Sequence, residues 1–163
     1  MLLPSMDSLV CNIHHSEEAQ TTDRLAVGLG QMGHGMAKNI RQKIPAESIL
    51  IVYDINTAVL EQFANEYGSG SNVRIASSPA EISRTADIIL TSVPQARHVE
   101  QVFLHPKTGL LADNTSSGRN ILFMELSTID AAVSRRMADE VASKNFGSFV
   151  DAPCSVSVSY RET

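Results

Sequence analysis

From residue 25 onward the chain alternates short, nearly continuous apolar runs with longer stretches in which apolar positions recur every three to four residues. The first pattern marks buried strands and the second amphipathic helices. Strands are predicted near residues 25–28, 49–53, 73–76, 88–92, 121–125 and 148–150, with helices between them. Strand and helix in strict alternation with short connections imply an α/β fold: a Rossmann-type, doubly wound, mostly parallel sheet covered on both faces.

Local signals set the helix ends. The first helix, about 32–43, stops before Pro45, which can neither donate a backbone N–H nor fit a helix interior. The second, about 58–66, runs into Gly68, Gly70 and their serines. The third opens on Ser78-Pro79-Ala80-Glu81, where Ser78 can cap, Pro79 suits the first helical position and Glu81 can close a capping box. A fourth spans 96–104, and a fifth about 130–144, with an acid early and Lys144 near the end to match the helix dipole. Residues 105–120 read as a loop, with one turn of helix around 109–112.

Composition adjusts this picture little. A chain of 163 residues, 43% hydrophobic, has room for one domain with a core and is short for two. The formal charge is −5, of which −4 falls in residues 1–23, so that segment is expected to be a poorly ordered acidic extension. The domain is expected over 24–155, followed by a divergent tail at 156–163. A near-neutral body with no basic stripe offers nucleic acid no footing, and no apolar run approaches the ~20 residues that span a bilayer. Cys11 and Cys154 lack metal or disulfide spacing, and His14-His15 has no third ligand nearby. The acidic start fits neither a transit peptide nor a secretory signal, so a cytoplasmic location is expected, with mitochondrial the alternative.

The chemistry concentrates in four places. Gly28-x-Gly30-x-x-Gly33 follows a predicted strand and opens a helix. Gly28 permits the tight turn, Gly30 lets the backbone approach a pyrophosphate, and Gly33 lets helix and strand pack closely. The helix N-terminus then supplies an anion site without a basic side chain. Asp54 lies 21 residues after Gly33, at a strand end, placed to accept hydrogen bonds from ribose hydroxyls. Its charge repels a 2′-phosphate, and Ile55-Asn56-Thr57 bring no Arg, so NAD is favoured over NADP. A methyltransferase binding S-adenosylmethionine can show the same pair of features.

Ser92-Val93-Pro94 and Ser127-Thr128-Ile129-Asp130 follow predicted strands, at the edge where open α/β sheets bind ligands. The two hydroxyls of Ser127 and Thr128 suit either capping of the next helix or contact with a carboxylate or amide. Asp151-Ala152-Pro153-Cys154-Ser155 follows the last strand, with no base spaced to activate Cys154. His34 and His98 lack a local carboxylate partner and read as packing or surface residues.

Together, the run from Gly28 to Asn39, the segment Val93-Pro94 with His98-Val99 and Val102-Phe103, Ser127-Thr128-Ile129-Asp130 and Asp151-Ala152-Pro153 resemble the β-hydroxyacid dehydrogenases. That family shares the cofactor domain of 6-phosphogluconate dehydrogenase, and the resemblance runs from about residue 24 to 155. It implies that Gly28, Leu29, Gly30, Gln31 and Met32 cradle the pyrophosphate, with Gly33 packing behind them and Asp54 on the adenosine ribose. It implies further that Val93, Pro94 and Thr128 flank the cofactor, and that Ser127, Thr128 and Ser155 meet the substrate, a small 3-hydroxy acid of the 3-hydroxyisobutyrate type. Where the family continues as Asp-Ala-Pro-Val-Ser-Gly-Gly, this sequence reads Asp151-Ala152-Pro153-Cys154-Ser155-Val156-Ser157. The family's catalytic Lys, its nearby Asn and its all-helical second domain, which builds the homo-oligomer interface, have no match. The chain is therefore expected to be the cofactor half of such an oxidoreductase, truncated and doubtful as a catalyst alone. The alternatives are a non-catalytic dinucleotide-binding module or a non-functional truncated product.

Overall fold

A computed structural model describes residues 24–68 and 72–154. In chain order the elements are β1 (Arg24–Val27), α1 (Gln31–Lys43), β2 (Leu50–Tyr53), α2 (Thr57–Tyr67), β3 (Val73–Ile75), α3 (Pro79–Thr85), β4 (Ile88–Thr91), α4 (Ala96–Leu104), β5 (Ile121–Glu125), α5 (Ala131–Ser143) and β6 (Gly147–Asp151). The six strands form one sheet in the order β3-β2-β1-β4-β5-β6, and every pairing among the described residues is parallel. That order is the doubly wound Rossmann arrangement, with its switch point between β1 and β4, where successive crossovers reverse direction.

Period-2 alternation along β2 explains how one short strand serves two cores. Leu50 and Val52 join Ala37 of α1 and Leu60 and Phe63 of α2 on one face. Ile51 turns the other way, into the cluster of Ile82, Val99, Phe103, Phe123, Met137 and Val141 supplied by α3, α4, β5 and α5. Phe63, Phe103, Phe123 and Phe146 are completely buried. Each contributes about 1.5–3 kcal/mol of apolar burial, which makes these rings the main weight holding the helices to the sheet.

All six predicted strands and five helices are present, with shifts of one or two residues at their ends. α1 stops at Lys43, and Arg41 seals its end by donating to the carbonyls of Ser48 at 2.7 Å and Pro45 at 2.8 Å. Four local expectations need correction. Residues 109–112 form a hydrogen-bonded turn, Ala112 N–H to Gly109 carbonyl at 3.0 Å, and the one helical turn of this loop is a 3-10 turn at Asn114–Ser116 capped by Asp113. Ser78 caps α3, but the Glu81 carboxylate reaches back to the N–H and hydroxyl of Ser77 rather than to the cap residue itself. Neither Ser127 nor Thr128 caps α5; Asp130 does, accepting from the Ala132 N–H at 2.7 Å. Lys144 follows the last turn of α5 but sends its ammonium across to the Leu111 carbonyl at 2.8 Å, so it ties a loop down instead of answering the helix dipole. The predicted extension at 1–23, with Cys11 and His14-His15, and the tail at 156–163 lie outside the described residues.

Candidate functional site

The carboxyl ends of β1, β2, β4 and β5 lie on one edge of the parallel sheet, and Gly28 to Gly33, Asp54, Val93, Pro94, Ser127 and Thr128 follow them there. Gly28 leaves β1 with φ +86°, a conformation that L side chains rarely adopt, and its N–H donates to the Tyr53 carbonyl at 3.0 Å. A Cβ at Gly28 lies 2.2 Å from the Ser92 carbonyl oxygen, so the β1 turn is pressed against the β4 exit. A Cβ at Gly33 lies 1.6 Å from the Gly28 carbonyl oxygen, so α1 packs on the turn itself. Gly30 is the opposite case. Its φ is −60°, and a Cβ there meets nothing within 4 Å.

Gly30 is also the N-cap of α1, with no side-chain cap and no acid in the first turn. Helix geometry leaves the N–H groups of Gln31, Met32 and Gly33 without intrahelical acceptors, and the dipole adds positive potential at the same point. The open space beside Gly30 lets an anion approach the backbone closely at this helix start. The N–H groups of Gly28 and Leu29 are already engaged, so the donors of this cradle begin at the start of the helix.

Asp54, just after β2, holds the turn from the other side. One carboxylate oxygen accepts from the Leu29 N–H at 2.6 Å and the other from the Asn56 N–H at 2.8 Å. Leu29 itself is buried, anchoring the turn in the core. Asn56 then caps α2, and Ile55 stands 90% exposed between the two polar residues. Asp54 is only half-buried, so its carboxylate can still reach a hydroxyl from the solvent side.

Across the switch point, Val93 and Pro94 lead from β4 into α4, and Ser127 and Thr128 lead from β5 into α5. The Ser127 Oγ accepts from the Val93 N–H at 2.8 Å, which ties these two loops together. Ser127 is buried while Thr128 and Pro94 are exposed, so one hydroxyl serves as a brace and the other faces outward. Beneath them sits Glu125, the last residue of β5, fully buried, accepting from the Thr91 hydroxyl and from the Ser127 N–H at 2.8 Å. Desolvation, together with the neighbouring Asp151, holds its carboxyl above the ordinary range despite those hydrogen bonds. Glu125 escaped the sequence reading; the available signal was an acid closing an otherwise apolar strand, Ile121-Leu122-Phe123-Met124.

The remaining candidates make other contacts, and Cys154 adjoins the site, its N–H donating to the Leu126 carbonyl at 3.0 Å beside Ser127. His34 packs edge-on against Phe63 at 5.3 Å between ring centres, with Glu66 4.0 Å from its Nε2, and His98 lies on α4. Cys154 is exposed, and Ser155 lies outside the described residues. No group of three or more His, Cys, Asp or Glu side chains able to hold a metal ion is present among the described residues. None of the described helices is long and apolar enough to cross a membrane.

Residues 25–160 match the family described as the NAD binding domain of 6-phosphogluconate dehydrogenase. Mitochondrial 3-hydroxyisobutyrate dehydrogenase of Mus musculus is 37% identical over 130 residues, which cover 79% of this chain and 35% of that protein. The chain thus spans about a third of the length of the curated relatives it matches. Among solved structures, 3-hydroxyisobutyrate dehydrogenase from Salmonella typhimurium superposes with a TM-score of 0.64 at 24% identity, over 83% of this chain and 43% of the other. An imine reductase from Myxococcus stipitatus in complex with NADP+ gives a TM-score of 0.63 at 18% identity, over 80% and 39%. At these identities the structural likeness establishes the fold.

Proposed function

The chain belongs to the family of the NAD binding domain of 6-phosphogluconate dehydrogenase, and from that premise we propose that it is the cofactor-binding part of an oxidoreductase acting on a small 3-hydroxy acid, with NAD preferred to NADP. The observation that carries the proposal is the contrast within the glycine turn. Gly28 and Gly33 are closed against their neighbours, whereas Gly30 opens on clear space at an uncapped helix start. A helix that needed only to pack would not require a bare backbone at that point. A pyrophosphate fills the space, accepts from the first-turn N–H groups and meets the dipole's positive end.

In this reading Asp54 holds the adenosine ribose and its charge disfavours a 2′-phosphate. Val93 and Pro94 flank the nicotinamide. That group, when bound, supplies the hydride acceptor for an alcohol carbon. Thr128 faces the cleft for the substrate, and Ser127, whose oxygen accepts from Val93, retains its own proton to donate to a substrate carboxylate. The alcohol proton needs a further acid–base group, which the resemblance places downstream of Asp151-Ala152-Pro153. The isolated chain is therefore a binding unit with at most trace turnover. The mouse relative is a mitochondrial protein, which supports mitochondria as the compartment in this reading.

Titration calorimetry of residues 1–163 with NAD, NADH and NADPH tests the proposal. Saturable binding with NADH tighter than NADPH is the expected result. No heat at millimolar cofactor overturns the function, and tighter NADPH overturns the role given to Asp54.

A further inference from the structure

Glu125 is the one buried carboxylate among the described residues, and the cradle described above does not use it. It closes a strand of four apolar residues, where an apolar side chain would fill the space without the cost of removing a charge or a carboxyl from water. Its hydrogen bonds show what that cost is set against. Oε2 accepts from the hydroxyl of Thr91, the last residue of β4, and Oε1 accepts from the N–H of Ser127, at the head of the next loop. Ser127 in turn accepts from Val93 at the β4 exit. From the far side, Ala152 donates to the Glu125 carbonyl at 2.9 Å, and Asp151 stands in register with Glu125 on β6. Three strand ends are thus knitted at one residue, and the two loops it joins carry Val93-Pro94 and Ser127-Thr128.

The adenosine side has its own hydrogen bonds, although the Gly28 turn also packs against the Ser92 carbonyl at the β4 exit. Gly28, Leu29 and Asp54 bond to one another and to Tyr53, and none of the hydrogen bonds described for Glu125 reaches them. The geometry points to Glu125 as a positioning residue that fixes the spacing of the Val93-Pro94 and Ser127-Thr128 loops, and so governs binding of the nicotinamide half of the dinucleotide while leaving the adenosine half alone. This rests on the dinucleotide reading above and deepens it. A residue that merely stabilised the fold would affect both halves together.

The test compares two ligands on the full chain: NADH, and ADP-ribose, which keeps the adenosine and both phosphates but lacks nicotinamide. Glu125→Leu removes both side-chain bonds, and NADH binding should weaken about tenfold while ADP-ribose changes by less than about twofold, the scale of disturbing a buried hydrogen bond near only one ligand half. Glu125→Gln keeps an acceptor for Ser127 and supplies a donor to Thr91, so it should restore NADH affinity. Thr91→Val keeps the shape and loses only the hydroxyl. Glu125 Oε1 still holds Ser127 while Oε2 loses its donor, so NADH binding should weaken in the same direction as in Glu125→Leu by a smaller factor, again with ADP-ribose nearly unchanged. Equal losses for both ligands, loss for neither, or a Gln variant as poor as the Leu variant overturns the positioning role alone. A wild-type chain that binds neither ligand overturns the dinucleotide reading and this inference with it.

Discussion

Gly33→Ala should damage the fold, whereas Gly30→Ala should leave it intact. The added methyl at Gly33 arrives 1.6 Å from the Gly28 carbonyl oxygen and 2.8 Å from its carbon. Ordinary contact begins near 3.4 Å, so α1 and the turn must part by about 1.8 Å. Neither yields easily, because both contacts are backbone and the turn is held by Tyr53 and Asp54. Overpacking of this kind costs about 1–3 kcal/mol, which for a domain this size lowers Tm by about 3–10 °C. At Gly30 the methyl meets nothing within 4 Å and φ is −60°. Two small effects oppose each other there, a stiffer unfolded chain and a poorer N-cap residue, so Tm should stay within about 2 °C. Differential scanning calorimetry of the two variants reads this directly. A Gly33→Ala variant that melts with wild type, or a Gly30→Ala variant that falls as far as Gly33→Ala, refutes the assignment of separate jobs to the glycines.

Asp54→Asn leaves one carbonyl oxygen to serve the N–H groups of Leu29 and Asn56, which now bond to opposite carboxylate oxygens. It should cost about 1–3 kcal/mol in stability and narrow the ratio of NADP to NAD dissociation constants, with an unchanged ratio contradicting the reading of the β2 end. The Glu125 carboxyl is held above the ordinary 4.5, chiefly by desolvation, so the folded state favours its protonated form. The stability it contributes is present below the unfolded pKa and is lost as pH rises through the folded value. The Tm of Glu125→Gln relative to wild type should therefore climb from pH 4 toward neutral, and a constant difference would contradict the sign. Turnover on 3-hydroxyisobutyrate should be at most trace for residues 1–163, since a missing acid–base group forfeits about 10²–10⁴ in rate; steady NADH production at about 1 per second or more would reveal a base among these residues.

The layout was legible because period and punctuation agreed. Leu50-Ile51-Val52 is buried on both faces and reads as a parallel strand, and Pro45 ends α1 within two residues of the observed stop. The glycine turn was legible because its spacing is a local pattern after a strand, and Gly33 needs only Gly28 to explain it, although the Ser92 carbonyl that closes on Gly28 lies far along the chain. What stayed hidden depended on partners distant in sequence. Whereas the Asp130 cap, bonded to Ala132 two residues on, was a local signal that the sequence did carry, nothing near Ser127 announces that its hydroxyl braces Val93, 34 residues away. Glu125 was invisible for the same reason, since its partners on β4 come into range only once the sheet has formed.

Chemical-shift mapping of the ¹⁵N-labelled chain during titration with NAD shows where the dinucleotide sits, because it reads the backbone amides one by one. The largest saturable changes should fall on Gly30, Gln31, Met32 and Gly33, with a second group at Val93, Ser127 and Thr128, and Gly30→Val, whose branched side chain fills the open space, should abolish both. Changes confined to residues far from the carboxyl edge of the sheet, or a Gly30→Val variant that binds NAD as wild type does, would contradict this placement of the dinucleotide.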